Sequence, residues 1–213
     1  MFLYLLIFIF AVDELLQKWI IEIYTMKIFF YDLETTGTLF WKNGIHQISG
    51  AIVIDGEVKE SFDLRVAPNP KAIVEDAALQ VAGVTREQIM AYPPMEEIYK
   101  KVVEMLGKYV DKYDRTDKFF LCGYNNASFD DNFFRAWFRQ NGDEYFGSWF
   151  WGNSLDVMVL ASQYFAEERH TMKDFKLSTV ARQCGVEVCD ESLHDALYDI
   201  RLTMEVYKKV VSR

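Results

Sequence analysis

Residues 27–33, KIFFYDL, constrain the fold more than any other stretch. A short run that is apolar and aromatic and closes on polar residues reads as a strand buried in a sheet. The segments that follow extend that sheet. Residues 46–54 and 57–66 read as a second and a third strand. Asp55-Gly56 between them is a two-residue hairpin signal, because both residues tolerate positive φ. Residues 118–124, KFFLCGY, read as another buried strand. Helices are predicted over 75–82, ending at Gly83, and from Pro93-Pro94 to about 112. In the second of these Ile98, Val102, Met105, Leu106 and Tyr109 form the apolar stripe. Further helices are predicted over 129–140, 155–166, 175–184 and 194–211, with an aromatic loop at 144–152. Three consecutive strands, then alternating helices and strands, describe a mixed α/β sheet with helices on its faces.

Composition limits the function. The chain has 213 residues, 51% of them hydrophobic, which suits one domain with a sizeable core. Its formal net charge of −9 argues against holding nucleic acid on a broad basic surface, since phosphate contacts need Lys and Arg. An enzyme that grips only a strand end is compatible with it. The three cysteines, Cys122, Cys184 and Cys189, are too few and scattered for a disulfide framework or a zinc site. They point to a reduced, cytoplasmic protein.

Residues 1–25 stand apart. MFLYLLIFIFAV is strongly apolar but too short to span a bilayer, and it lacks the positive n-region of a secretory signal. In DELLQKWIIEI, Leu15, Leu16, Trp19, Ile20 and Ile23 fall on one helical face. Met26 then opens MKIFFYDLETTG as a natural start would. The leading expectation is an extension, 1–25, from a misassigned start, ahead of a domain over 26–213 with no stable membrane association. A helical appendage that docks on a partner and a weak membrane anchor compete with it.

The chemistry concentrates where the first strand ends. Asp32 and Glu34 are two residues apart, so a strand points both carboxylates to one face. Two like charges so close raise a pKa unless a cation intervenes. All-oxygen acidic sites favour Mg²⁺ or Mn²⁺. A lone D-x-E is more often a strand end dissolving into a polar turn. Two further segments alter that balance. NNASFDDNFF at 125–134 places Asp130 in the first turn of a helix directly after a buried strand. HDALYD places His194 and Asp199 about one and a half turns apart near the start of the last helix. They do not share a helical face, but they converge if that helix passes beside the site and His194 comes from its first turn or the preceding loop.

Taken in order, Asp32-Leu33-Glu34-Thr35-Thr36-Gly37, Asn126-Ala127-Ser128-Phe129-Asp130 and His194-Asp195-Ala196-Leu197-Tyr198-Asp199 resemble the DEDDh (DnaQ-like) 3′–5′ exonucleases, which include the proofreading subunit of bacterial replicative DNA polymerase. ALQVAGVT at 78–85 is also similar to a segment of the proofreading type. Each block alone is weak, and three in order are strong. The resemblance covers about residues 27–211. It implies a ribonuclease H-like fold, with a mixed five-stranded sheet whose first three strands meander antiparallel. It implies two divalent ions, Mg²⁺ or Mn²⁺, held by Asp32, Glu34, Asp130 and Asp199, with His194 as general base. It also implies a nucleoside 5′-monophosphate product from a single-stranded 3′ end. Thr35, Thr36 and Gly37 would set backbone N–H groups beside the terminal nucleotide. Asn126 would position the substrate, or only its own turn.

The chain departs from the family pattern in places. Asn125 stands where many relatives carry histidine, and Thr38 where several carry a bulky apolar wedge. Asp131 and Asp195 adjoin the expected ligands, so the block spacing must choose between neighbours. Asp156 reads as a helix cap or buried polar partner. Phe129 and Phe133 read as core. Tyr145, Phe146, Trp149, Phe150 and Trp151 could stack bases but more often pack, and Arg135 and Arg139 are phosphate contacts or solvated charges. DNA is favoured over RNA, and a DNA polymerase is a candidate partner. An RNA-trimming exonuclease of the same family and a non-catalytic nucleic-acid-binding adaptor are the competing functions.

Overall fold

The computed structural model describes residues 25–193 and 195–212. Except for Thr25, the expected extension lies outside the described residues, as does His194. Among the described residues no helix is long and apolar enough to cross a membrane.

Strands β1 (Lys27–Thr35), β2 (Ile45–Ile54) and β3 (Glu57–Arg65) form an antiparallel meander. Asp55 and Gly56 join β2 to β3 with φ of 52° and 82°, the left-handed pair that a two-residue hairpin demands. Helices α1 (Asp76–Ala82), α2 (Arg86–Met90) and α3 (Met95–Gly107) follow, and the chain returns as β4 (Phe120–Gly123), parallel to β1. Next come α4 (Asp130–Gln140), β5 (Leu155–Asp156), α5 (Val157–Tyr164), α6 (Leu177–Gln183) and α7 (Ala196–Val211). The sheet order is β3-β2-β1-β4-β5. This is the mixed five-stranded sheet flanked by helices of the ribonuclease H-like fold.

The alternation of β1 sorts the core into two layers. Phe29, Tyr31 and Leu33 pack against Ile98 and Val102 of α3 and Phe134 and Trp137 of α4. Ile28 and Phe30 point the other way, into a layer with Val157 and Ala161 of α5, Val180 of α6, and Ile200 and Val206 of α7. Strand β1 is therefore buried on both sides, which is why its sequence is nearly continuous in apolar residues. Its even-numbered carboxylates, Asp32 and Glu34, continue the face that α7 covers.

Three elements differ from the sequence expectation. Helix α3 ends at Gly107 and not at about 112, so Tyr109 of its expected stripe lies beyond the helix; glycine is a poor helix former. Helix α2 is too short for a hydrophobic period to reveal it. Its signal is Thr85-Arg86-Glu87-Gln88, a capping box in which Gln88 N donates to Thr85 Oγ1 at 3.2 Å and Thr85 N to Gln88 Oε1 at 2.7 Å. The helix expected from 155 begins instead at Val157, because Leu155 and Asp156 pair with Cys122 and Gly123 as β5. Asp156 caps α5, accepting from Met158 N at 2.9 Å, and also accepts from Asn125 N at 3.1 Å and Ala127 N at 3.3 Å. It is the buried cap anticipated from the sequence, and it ties the loop after β4 to β5.

Within the aromatic loop, Phe146, Trp149 and Phe150 are buried, while Tyr145 is exposed. The Phe146 ring lies 4.7 Å from Phe150 and 5.0 Å from Phe138, so this loop is a wall of the core. Arg135 stacks on Phe146 at 4.4 Å, and Arg139 pairs with Glu144 at 3.5 Å.

Candidate active site

Three elements bring carboxylates to the C-terminal end of β1. Asp32 and Glu34 come from the strand itself. Asp130 opens α4, is 5% exposed, and accepts from Leu33 N at 3.2 Å, which draws the helix start against the strand end. Asp199 lies in the first turn of α7, the helix that crosses the face carrying Asp32 and Glu34.

Their electrostatics record this proximity. Burial, then the charges of Glu34 and Asp199, push Asp32 up to about 7. Burial and Asp199 raise Glu34, with Arg65 opposing them. Burial and then Asp32 hold Asp130 well above the usual carboxylate range. Each group is thus raised by carboxylates from other positions in the set. Among the described residues no three His, Cys, Asp or Glu side chains close into a metal-holding group. The donor set nevertheless suits a hard cation: it is anionic, all oxygen, and destabilised by the repulsion that a cation would relieve.

Neighbouring acids are separated by their partners. Asp131 accepts from Tyr31 Oη at 2.5 Å, Asn126 Nδ2 at 3.0 Å and Ser154 Oγ at 2.7 Å. It is bound into the α4 side of the sheet, whereas Asp130 feels Asp32. Asp195 is the N-cap of α7 and accepts from Tyr198 N at 2.9 Å, whereas the charge of Asp199 acts on Asp32 and Glu34.

The other expected site residues are placed as follows. Asn126 is fully buried, with its amide on Asp131. Thr36 is also fully buried; its N–H donates to Gly44 O at 2.8 Å, and its hydroxyl donates to Ile73 O and accepts from Gly44 N. That backbone N–H is therefore already used within the protein. Thr35 is half-buried and donates through Oγ1 to Gly37 O at 2.7 Å.

Gly37 has a packing reason to be glycine. An added Cβ would come within 2.3 Å of Asn43 Nδ2. Asn43 cannot easily withdraw, because its side chain donates to Ile73 O at 2.8 Å and Glu75 Oε1 at 3.1 Å and accepts from Leu39 N at 2.9 Å. Gly37→Ala is expected to cost about 1–3 kcal/mol by breaking that network, a loss read as a lowered denaturation midpoint with unchanged slope.

Sequence reading missed Gln47, Ser49, Asp63 and Arg65, which lie beside Asp32 and Glu34 across β2 and β3. The available signal was Gln47 and Ser49, two polar residues that alternate onto one face of a mostly apolar strand.

Comparison with known proteins bears on the family and the fold. The family model RNase_T, described as Exonuclease, matches residues 29–207. The PolC-type DNA polymerase III of Bacillus cereus is 27% identical over 173 residues, covering 81% of this chain and 10% of its own length. That of Staphylococcus aureus is 26% identical over 183 residues, covering 86% and 11%. The chain thus spans about a tenth of these relatives. Among solved structures, Escherichia coli exonuclease I in complex with a dT13 oligonucleotide aligns with a TM-score of 0.69 and 20% identity, over 88% of this chain and 41% of that one. The zinc ion-bound form of the same enzyme's single-stranded DNA complex also aligns at 0.69 and 20%, over 89% and 42%. At that identity the structures speak for the fold, and the family model for the family. The chain belongs to the Exonuclease family, and within it to the DnaQ-like 3′–5′ exonucleases.

Proposed function

We propose that this chain removes nucleotides from the 3′ end of single-stranded nucleic acid, DNA in preference to RNA, with the aid of divalent metal ions. The observation that carries the reading is the mutual repulsion of Asp32, Glu34, Asp130 and Asp199, contributed by β1, α4 and α7. Four converging carboxylates are a costly arrangement unless cations share the site. These residues would hold two ions, Mg²⁺ or Mn²⁺. Bound there, the ions would supply charge stabilisation at the phosphate and lower the pKa of water.

The remaining work falls to the chain's own side chains. His194 takes a proton from the attacking water on an imidazole nitrogen, its ordinary pKa being suited to neutral pH. The chain's other two histidines support that assignment by their placement. His46 is fully buried and lowered to about 4 by burial and by Arg65. His170 sits on an exposed turn against Glu167 O at 2.9 Å. Thr35 and Gly37 border the terminal nucleotide, with Thr36 fixing the turn that presents them. Asn126 acts through Asp131, holding the start of α4 so that Asp130 faces Asp32. The preference for DNA, and a DNA polymerase as partner, rest on the polymerases among the relatives. The net charge of −9 fits an enzyme to which a partner delivers the strand.

The test uses the full chain on 5′-labelled single-stranded DNA and RNA with Mg²⁺, Mn²⁺ or chelator. The expected result is a ladder shortening from the 3′ end, faster on DNA and absent with chelator. No cleavage by folded, metal-supplied protein overturns the enzymatic reading, and faster RNA cleavage overturns the DNA preference.

A further inference from the structure

The polar residues of β2 and β3 beside the acidic site form an ordered array. Glu34 is directly opposite Gln47, which is directly opposite Arg65. One step along the face, Asp32 is opposite Ser49 and Ser49 opposite Asp63. Residues in register on neighbouring strands share a face, so two rows run from the carboxylates of β1 to the edge strand β3.

The array is tightly bonded. Gln47 Nε2 donates to Asp63 Oδ1 at 2.6 Å and to Ser49 Oγ at 3.1 Å. Ser49 Oγ donates to Asp63 Oδ1 at 2.8 Å. Arg65 Nη1 donates to Gln47 Oε1 at 2.5 Å, and Arg65 Nη2 lies 3.9 Å from Asp63 Oδ2. Gln47 is 6% exposed and Ser49 fully buried. Burying an amide and a hydroxyl inside a strand is costly, and full bonding offsets the cost without making it preferable to an apolar pair. What the network achieves is the placement of Arg65. Its guanidinium leans from the edge strand over β2, toward the row that ends in Glu34, and its side chain remains 44% exposed. A guanidinium is a planar fork of several donors, and the fork suits a phosphate.

We propose that Arg65, aimed by Gln47, binds a backbone phosphate of the strand next to the phosphate being hydrolysed. The inference rests on the exonuclease reading. It supplies a local cation where a polyanion must approach a cluster of carboxylates on an acidic protein.

The test compares the full chain with Arg65→Ala and Arg65→Lys. It measures kcat and KM with Mg²⁺ at several KCl concentrations. It also measures anisotropy of a 5′-fluorescein oligothymidylate with Ca²⁺ in place of Mg²⁺. Arg65→Ala is expected to raise KM and Kd roughly 10-fold or more, as for a lost charge-assisted hydrogen bond, while kcat stays within about twofold. The slope of log affinity against log salt should flatten by about 0.7, the share of one single-strand phosphate contact. Arg65→Lys should restore the slope but only part of the affinity, because an ammonium is a point charge. A fall in kcat with unchanged salt slope would overturn the proposal and make Arg65 a support for Glu34. Unchanged affinity in Arg65→Ala would also overturn it. Hydrolysis by the unaltered chain reports separately on the exonuclease reading, and absence of oligonucleotide binding by that chain would sink both.

Discussion

Asp32→Asn is expected to lower kcat/KM by roughly 10³-fold or more while leaving the protein folded and its melting temperature without metal raised at neutral pH. The two effects share one cause. Asp32 is the carboxylate on which burial, Glu34 and Asp199 all press, and it is pushed up to about 7. Neutralising it removes a repulsion that the metal-free fold must bear. The same change removes a metal-holding oxygen, and charge stabilisation by a bound ion amounts to several kcal/mol of the barrier, or roughly 10³-fold in rate. Steady-state kinetics with Mg²⁺ and thermal melts with chelator check the two halves. A variant that keeps its rate, or that melts lower without metal, would contradict the assignment.

Metal-free protein is expected to lose stability as pH rises from about 4 to about 7, and to regain it at pH 8 when Mg²⁺ is added. The folded-state pKa of Asp32 lies above its ordinary 3.8. Between those values the folded chain holds a proton that the unfolded chain has shed. Unfolding then releases a proton, and stability falls with rising pH until the folded group also ionises. Glu34 and Asp130 are raised and act in the same direction. A carboxylate in an ordinary ion pair has the opposite sign. Mg²⁺ at about 100 times its Kd contributes about 2.7 kcal/mol. For a chain of this size that is a rise in Tm of roughly 5–10 °C. Melting curves at pH 5 and pH 8, with chelator and with Mg²⁺, read both effects. A metal-free Tm that climbs from pH 5 to pH 8 would refute this view of the cluster.

The central sheet and the longer helices were legible in the sequence because each carries a signal of its own. Strand β1 is a dense apolar run, Asp55-Gly56 marks a hairpin, and α3 and α4 have clear apolar stripes. Helix α2 and strand β5 were not, since five residues and two residues are too short for any period. The candidate carboxylates were legible as motifs, but which side of the sheet they occupy follows only from the alternation of β1 and the packing of α7. The choice between Asp130 and Asp131 rests in the structure on the bonds Asp131 makes to Tyr31, Asn126 and Ser154, of which Tyr31 and Ser154 come from distant positions. The Gln47–Arg65 array was invisible for the same reason. It depends on the register of three strands, and the polar pair Gln47 and Ser49 in β2 does not by itself reveal which residues of β3 bond to it.

The measurement that bears most directly on the account is the fate of a 3′-terminal label. A single-stranded DNA labelled on its last nucleotide is given to the full chain and to Asp199→Asn, with Mn²⁺. The account predicts that the label appears first as a nucleoside 5′-monophosphate, before any shorter internal fragment, and that the variant releases almost none. Label emerging in oligonucleotides, or released equally by Asp199→Asn, would contradict a 3′-end hydrolase built on these carboxylates.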